Sequence, residues 1–244
     1  MARTRKRHQQ QELFRHGGKR RGAGRPVTAG RKRASERHLP RPAISKHQPV
    51  HVTLRVVDEL AALRDRDCYH AIRRAMTRVH ARHDYRITGV SIQGSHIHLL
   101  VEANDAVALA RGMQALQISA ARRINRAYGK RTDTVRRGRV FVDRYNEEVL
   151  TNRRQARHAW SYVLNNWRKH GEQRSGALRA FAVDPFSSAL AFDGWTEPID
   201  EQWPATYEPL PVHAPRTWLL AVGWRMYGLI DPREVPGNGR ASRR

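Results

Sequence analysis

The sequence has little of several features that mark common protein classes. Its 244 residues include one cysteine, Cys68, which excludes a disulfide framework and any multi-cysteine zinc site. No apolar run approaches the roughly 18 residues of a membrane-spanning helix. No hydrophobic segment followed by a cleavage site marks a signal peptide. We therefore expect an intracellular protein with no membrane partner.

Acidic residues are also scarce, and this shortage points to a partner. The chain holds 22 Asp and Glu against 46 Lys and Arg, for a formal net charge of +24. Such an excess favours a polyanionic partner, most simply nucleic acid. Residues 1–50 and 51–174 carry almost all of this excess, whereas residues 175–244 are close to neutral.

Proline is missing from one long stretch, and its absence divides the chain. Residues 51–174 contain none, whereas four lie before this stretch and eight after it. Packed helices and strands exclude proline from their interiors. We therefore predict a basic flexible arm at 1–49, a compact basic core at 50–174 and an extension at 175–244 that is rich in Pro and Trp and packs on the core.

The arm is basic and rich in glycine, so it cannot bury enough apolar surface to fold alone. Its Gly-Arg-Pro triplet resembles an AT-hook core, in which arginine enters an A·T minor groove. The alternative, which we favour, is a solvated tail that binds phosphates without sequence preference. In either case the predicted DNA contacts are Lys19, Arg20, Arg21 and Arg25.

The core alternates between strand and helix patterns. Residues 51–57, 85–92 and 96–103 read as strands, and 139–150 holds another. Helices are predicted from Cys68, from about Leu109 to near Gly129, and over 153–170. The order β-α-β-β-α-β-α is that of an α+β, ferredoxin-like split βαβ core with an antiparallel sheet and one added helix. RNA-recognition modules share this plan, but the strands here lack their aromatic residues. The fold alone implies no function.

The triplet His96-Ile97-His98 lies on the third predicted strand. Residues two apart on a strand point to the same face, so both imidazoles can approach one metal ion. Two imidazoles with room for oxygen ligands suit Mg²⁺, Mn²⁺ or Zn²⁺. A His-x-His pair also arises by chance in a chain with 13 histidines, so the pair alone does not establish a site.

The last predicted helix carries a polar face opposite its apolar stripe. Tyr162 and Asn166 lie one turn apart on that face. The carboxamide of Asn166 can serve as a third metal ligand while the hydroxyl of Tyr162 attacks a phosphorus. The alternative is an exposed tyrosine on a solvated helix. Tyr145 is a rival nucleophile, but it has no amide ligand one turn away.

These motifs together resemble the HUH single-strand DNA transposases with one catalytic tyrosine, and most closely the REP-associated tyrosine transposases. The resemblance rests on the histidine pair, on Tyr-Val-Leu-Asn-Asn at 162–166 followed by Lys-His-Gly, and on the phrases HVTLR, GRVFVDRY and GGKRRGAGRP. It covers about residues 48–174 closely. Many relatives have Asn-Pro where this chain has Asn166-Trp167.

The resemblance implies a complete reaction. His96, His98 and Asn166 would bind a divalent metal, Mg²⁺ or Mn²⁺, and Tyr162 would form a 5′-phosphotyrosine intermediate. The substrate would be single-stranded DNA beside a hairpin, cut and rejoined without ATP by a bacterial cytoplasmic, nucleoid-associated protein. A homodimer and a monomer both remain open. Arginines on the first two helices are candidates for tracking the DNA backbone: Arg73, Arg74, Arg122, Arg123 and Arg126.

Other functions fit less well. A non-catalytic nucleic-acid-binding protein of the same fold is the main alternative, although the intact His, Tyr and Asn residues argue against it. A histidine-triad hydrolase needs a third histidine where Leu100 stands, and no helicase segment supports a replication initiator or relaxase. The aromatic-rich extension is predicted to strap onto the core. A hairpin-recognition or dimer element is the other interpretation.

Overall fold

The computed structural model describes residues 41–174, 176–200 and 203–237. These residues form a four-stranded sheet, three long helices and a C-terminal segment of short helical turns. The strand order is β2-β3-β1-β4, and each neighbouring pair is antiparallel. The elements are β1 (Val50–Arg55), α1 (Arg66–His80), β2 (Tyr85–Ile92), β3 (His96–Ala103), α2 (Ala106–Thr132), β4 (Asn146–Val149), α3 (Arg153–Lys169) and α4 (Trp218–Ala221).

The element order confirms the predicted α+β fold with a split βαβ core and an added helix. Local sequence signals explain where the three long helices begin. Asp65, Asp105 and Asn152 stand at the N-cap positions of α1, α2 and α3, and each side chain accepts a hydrogen bond from a backbone N–H in the first turn. The second and third strands begin and end where their alternating patterns predict.

The sheet separates two apolar cores. Ile97, Leu99 and Val101 of β3 pack with α1 and α2 on one face. Leu100 packs with α3 and the C-terminal segment on the other face. Because strand side chains alternate between faces, His96 and His98 lie on the face that α3 covers.

The structure adjusts the bounds of several predicted elements. The strand predicted within 139–150 is Asn146–Val149, and the chain bends between it and an isolated bridge that joins Val56 and Phe141. The second helix continues past Gly129 to Thr132, where Asp133 adopts a left-handed conformation (φ 50°) and donates its N–H to the carbonyl of Gly129. Near the C-terminus, α4 ends at Ala221 and the chain continues as a 3-10 turn, Gly223–Tyr227.

The segment after α3 packs on that helix. Val183, Leu220, Trp224 and Ile230 are buried in the same core as the apolar stripe of α3. At the other end of the chain, Ile44 packs against the core that contains α1 and α2. The predicted DNA contacts of the arm, Lys19, Arg20, Arg21 and Arg25, lie outside the described residues. Among the described helices, none is long and apolar enough to cross a membrane.

Candidate active site between the sheet and the third helix

The histidine pair of β3 faces α3. The rings of His96 and His98 have centroids 4.6 Å apart and are nearly perpendicular, at 85°. His98 is almost fully buried, whereas His96 is partly exposed at the rim. The period of two therefore brings both imidazoles to one face, as the sequence predicts, and the burial gradient leaves one side of the pair open to solvent.

The ring of His98 is held from the neighbouring strand β1. Its Nδ1 lies 3.1 Å from Oγ1 of Thr53, the residue opposite it in the sheet, and 3.2 Å from Nε2 of His51. Its Nε2 is buried and has no hydrogen-bond partner among the described residues. One ring nitrogen is thus fixed by protein contacts while the other remains a free donor atom. This is the arrangement found where a histidine binds a metal through one nitrogen.

Burial keeps these imidazoles neutral at physiological pH. Desolvation, followed by the neighbouring imidazoles His51 and His96, lowers the pKa of His98 to about 2. Desolvation lowers the pKa of His51 to about 4. Burial and the nearby His170 also lower the pKa of His96. Since only a neutral imidazole binds metal, the histidines are in their ligating form over the neutral pH range.

Helix α3 places a tyrosine and an asparagine above the pair. The ring of Tyr162 meets His98 edge-on at a centroid distance of 4.9 Å. Eight residues further along, His170 approaches His96 with ring centroids 5.8 Å apart. Asn166 stands midway between these two contacts on the same helical face. It is fully buried, and neither its Oδ1 nor its Nδ2 has a hydrogen-bond partner among the described residues.

Unpaired buried polar atoms are rare and need an explanation. Here both His98 Nε2 on β3 and the Asn166 carboxamide on α3 lack a partner among the described residues. The described residues contain no cluster of three His, Cys, Asp or Glu side chains suited to a metal. Two imidazole nitrogens with an amide oxygen would instead form a mixed N,N,O donor set, which suits a divalent metal with further oxygen ligands from phosphate or water.

The C-terminal segment fixes α3 from behind. Asn165 Nδ2 donates to the carbonyl of Asp231 at 2.9 Å, and the guanidinium of Arg168 donates to the carbonyl of Pro232 at 2.6 Å. Arg157 makes a two-pronged contact with the carboxylate of Glu234, with both N–O distances at 2.8 Å. The helix that carries Tyr162 is therefore held between the sheet and residues 228–234.

Tyr145 lies in a different environment. Its side chain belongs to the core formed by α1 and α2, on the opposite side of the sheet from the histidine pair. The guanidinium of Arg41 covers its ring at 3.6 Å. Desolvation raises its pKa to about 12. These facts set Tyr145 apart from the histidines and leave Tyr162 as the tyrosine beside them.

The predicted DNA-contacting arginines of the core also lie away from the pair. They belong to α1 and α2, which cover the opposite face of the sheet. Arg73 is already engaged by the C-terminal segment, through Glu208 at 2.6 Å and the carbonyl of Pro209 at 3.0 Å. Arg123 donates to Ser119 at 3.0 Å. The remaining members, Arg74, Arg122 and Arg126, are exposed.

Sequence reasoning left His51 without a role and overlooked Thr53. Both belong to HVTLR, whose alternation places residues 51, 53 and 55 on one face of β1. Since β1 pairs antiparallel with β3, that face is also the face of the histidine pair. The alternation of HVTLR is visible in the sequence, but its relation to the histidine pair depends on which strands are neighbours in the sheet.

The sequence matches a known protein family. The sequence matches the family described as Transposase IS200 like over residues 45–166, half of the chain, a range that contains both histidines, Tyr162 and Asn166. The chain belongs to this transposase family. The resemblance to single-tyrosine transposases inferred from the motifs is thereby confirmed.

A solved transposase structure shares this fold, and two other solved structures show weaker similarity. A REP-associated tyrosine transposase bound to a REP hairpin is 17% identical, with a TM-score of 0.50, covering 72% of this chain and 98% of its own. A putative transposase from Deinococcus radiodurans is 14% identical, with a TM-score of 0.36, covering 53% and 92%. A bacterial tRNA(His) guanylyltransferase-like protein in complex with GTP is 13% identical, with a TM-score of 0.37, covering 54% and 65%. No curated protein matches the sequence.

Proposed function

We propose that this transposase is a metal-dependent endonuclease that cuts single-stranded DNA beside a hairpin and rejoins it through a 5′-phosphotyrosine at Tyr162. One observation carries the proposal. Tyr162 stands edge-on to His98, whose buried Nε2 has no partner within the described residues. A hydroxyl nucleophile beside an imidazole nitrogen that can bind a metal is the arrangement that metal-assisted phosphoryl transfer uses.

His96, His98 and Asn166 would hold the ion, Mg²⁺ or Mn²⁺. When bound, the ion would neutralise charge on the scissile phosphate and stabilise the charge that develops on its oxygens. The neighbours of the ligands support this assignment. Thr53 and His51 fix the ring of His98 through Nδ1, which leaves Nε2 directed at the site. The unpaired carboxamide of Asn166 gains a partner only when something enters the site.

The chain's own residues account for the covalent steps. Oη of Tyr162 bonds to phosphorus as the bond from phosphorus to the 3′ oxygen breaks. The phenol proton passes to solvent, and the 3′ oxygen takes up a proton to leave as a hydroxyl. Attack by a 3′-hydroxyl on the phosphotyrosine reverses these bond changes. The phosphodiester energy is kept in the intermediate, so rejoining needs no ATP.

Positive charge around the site suits a DNA strand. Lys169 Nζ lies 5.2 Å from the centre of the Tyr162 ring. Arg55, opposite His96 in the sheet, is exposed at the same rim. These groups can meet phosphate oxygens on either side of the nucleophile. The relative solved with a REP hairpin supports hairpin DNA as the substrate, and such a substrate implies a nucleoid-associated protein.

The test uses labelled hairpin oligonucleotides from the DNA that flanks the gene, incubated with Mn²⁺ or with EDTA. We expect an SDS-resistant protein–DNA adduct with Mn²⁺ that is absent with EDTA and absent from Tyr162→Phe. Tyr145→Phe is the matched control, because it removes a buried phenol hydroxyl that has no hydrogen-bond partner among the described residues. It should keep the adduct. Tight, salt-sensitive binding without an adduct, in Mn²⁺ and in Mg²⁺, would instead favour a non-catalytic DNA-binding protein.

A further inference from the structure

The C-terminal segment exposes an unusual number of large apolar side chains. Trp218, Met226 and Tyr227 are 54%, 65% and 46% exposed, and Val222 between them is exposed as well. Their neighbours Leu220 and Trp224 are fully buried against α3. One side of this short helical stretch therefore anchors it, while the other presents aromatic and thioether groups to solvent. A contiguous patch of this kind marks an interaction surface.

Arginines from the start of α3 border this patch. The guanidinium of Arg153 contacts the sulfur of Met226 at 2.9 Å. The guanidinium of Arg154 lies 5.6 Å from the centre of the Tyr227 ring. Within the described parts of the chain, neither guanidinium lies within ion-pair distance of a carboxylate. Aromatic faces beside free guanidinium groups are the surface on which single-stranded nucleic acids stack their bases and hold their phosphates.

The patch is in line with the candidate nucleophile. Arg154, His158 and Tyr162 follow one another at four-residue intervals along one edge of α3, where Arg154 and His158 are exposed and Tyr162 is half-buried. Eight residues of helix span about 12 Å. A stacked strand advances about 3.4 Å per nucleotide, so this length corresponds to roughly three or four nucleotides. A strand with its scissile phosphate at Tyr162 can therefore follow this edge to Tyr227.

We propose that Trp218, Met226 and Tyr227, together with Arg153 and Arg154, form a stacking platform for unpaired bases next to the cleavage position. This inference rests on the proposed function, since it places the same DNA strand on a second surface. The segment from 175 onwards is close to neutral, and α3 supplies the charge that the aromatic groups lack.

A second copy of the chain fits this surface less well. In a two-fold contact the same patch faces itself. Arg153 and Arg154 of one copy would then approach those of the other, with no carboxylate within ion-pair distance of them among the described residues. Like charges brought together in this way oppose the contact, whereas a polyanion complements them.

The test measures base stacking without knowledge of the target sequence. Fluorescence anisotropy would compare binding of an oligo-dT strand with that of an equally long strand of abasic sites, using the full chain with Tyr162→Phe to prevent cleavage. We expect the base-containing strand to bind about 5- to 100-fold more tightly. Tyr227→Ala and Trp218→Ala should reduce that ratio, and Tyr227→Phe should preserve it because the ring remains.

Two further variants make the test specific. Val107→Ala removes a comparably exposed apolar side chain from α2, which covers the other face of the sheet, and should leave the ratio unchanged. Arg154→Gln should weaken both strands alike and reduce the slope of affinity against salt by about one phosphate contact.

Several results would overturn the proposal. One is a wild-type ratio of one. Another is a Tyr227→Ala, Trp218→Ala double variant that keeps the wild-type ratio while it remains folded by circular dichroism. A wild-type dimer that Trp218→Ala converts to monomer with an unchanged ratio would show that the patch joins two copies. Adduct formation by wild type with a ratio of one would reject the platform and keep the proposed function. A ratio that depends on the aromatic side chains, without any adduct, would keep the platform and reject the proposed function.

Discussion

The two faces of the sheet are built from the same strands but bury different kinds of side chain. The face under α1 and α2 is closed by apolar side chains, with Leu99 at its centre. The face under α3 buries His98 and Asn166 with polar atoms that have no partner among the described residues. Unpaired buried polar atoms lower stability unless a ligand satisfies them. The other face buries one such atom as well, the hydroxyl of Tyr145. What distinguishes the face under α3 is that its unpaired atoms belong to the proposed metal ligands.

Removal of His98 should have the largest effect on this contrast. We expect His98→Ala to abolish detectable adduct formation, because the metal would lose one of its proposed ligands. Mn²⁺ binding, followed by electron paramagnetic resonance of the free ion, should be lost as well. His83→Ala is the control, since His83 is an exposed histidine between α1 and β2. Retention of Mn²⁺ binding by His98→Ala would contradict the assignment.

Two adjacent leucines allow a direct comparison of the faces. Leu99 and Leu100 are both buried, but they enter opposite cores. Each change to alanine should lower the free energy of unfolding by about 2–5 kcal/mol. Only Leu100→Ala should also slow cleavage per folded molecule, because Leu100 packs in the core that positions α3.

Denaturant unfolding and single-turnover cleavage at a temperature where both leucine variants are folded would check this. Equal cleavage rates for the two variants would mean that the packing of α3 on the sheet does not determine the position of Tyr162. A slower rate for Leu99→Ala alone would reverse the roles assigned to the faces.

The comparison also explains what the sequence could predict. Periodicity of two and of 3.6 gave the alternation of strands and helices, since burial on one face dictates those patterns. The same periodicity placed His96 with His98 and Tyr162 with Asn166. It could not bring the two pairs together, because that contact depends on which face of the sheet α3 covers. The motif resemblance supplied this missing step.

Other features depended on contacts distant in sequence. Arg73 was expected to be free for DNA, yet Glu208, far along the chain, binds it. Tyr145 stood beside a basic residue in the sequence but lies in the core away from the histidines. The role of Thr53 in holding His98 depended on strand pairing. Local pattern thus predicts which residues share a face, whereas the choice of partner needs the tertiary structure.

The buried histidines on the sheet face under α3 should also make the metal-free protein less stable in acid. The pKa of His51 is about 4 in the folded chain and 6.5 when unperturbed. Above pH 6.5 neither state is protonated, and the stability is fully present. As the pH falls from 6.5 towards 4, the unfolded chain takes up a proton that the folded chain refuses, so the free energy of unfolding falls.

The expected loss from His51 between pH 7 and pH 5 is about 2 kcal/mol. Thermal melts in EDTA across this range would measure it, with His51→Gln as the comparison, because glutamine does not titrate. The variant should lose less stability than wild type as the pH falls. If both lose the same amount, the acid sensitivity arises elsewhere, for example from His98, whose pKa burial lowers further than that of His51.

The smallest expected effect concerns the contact that orients the ring of His98. Oγ1 of Thr53 lies 3.1 Å from Nδ1 of His98. Thr53→Val keeps the shape of the side chain but removes its hydrogen-bonding group, so the ring of His98 loses one of its two supports. We expect Mn²⁺ affinity to fall by about 10-fold, at the lower end for a contact to a metal ligand, because His51 still engages Nδ1. Thr53→Ser should restore the affinity. If Thr53→Val binds Mn²⁺ like wild type while His51→Gln does not, the orienting contact belongs to His51 alone.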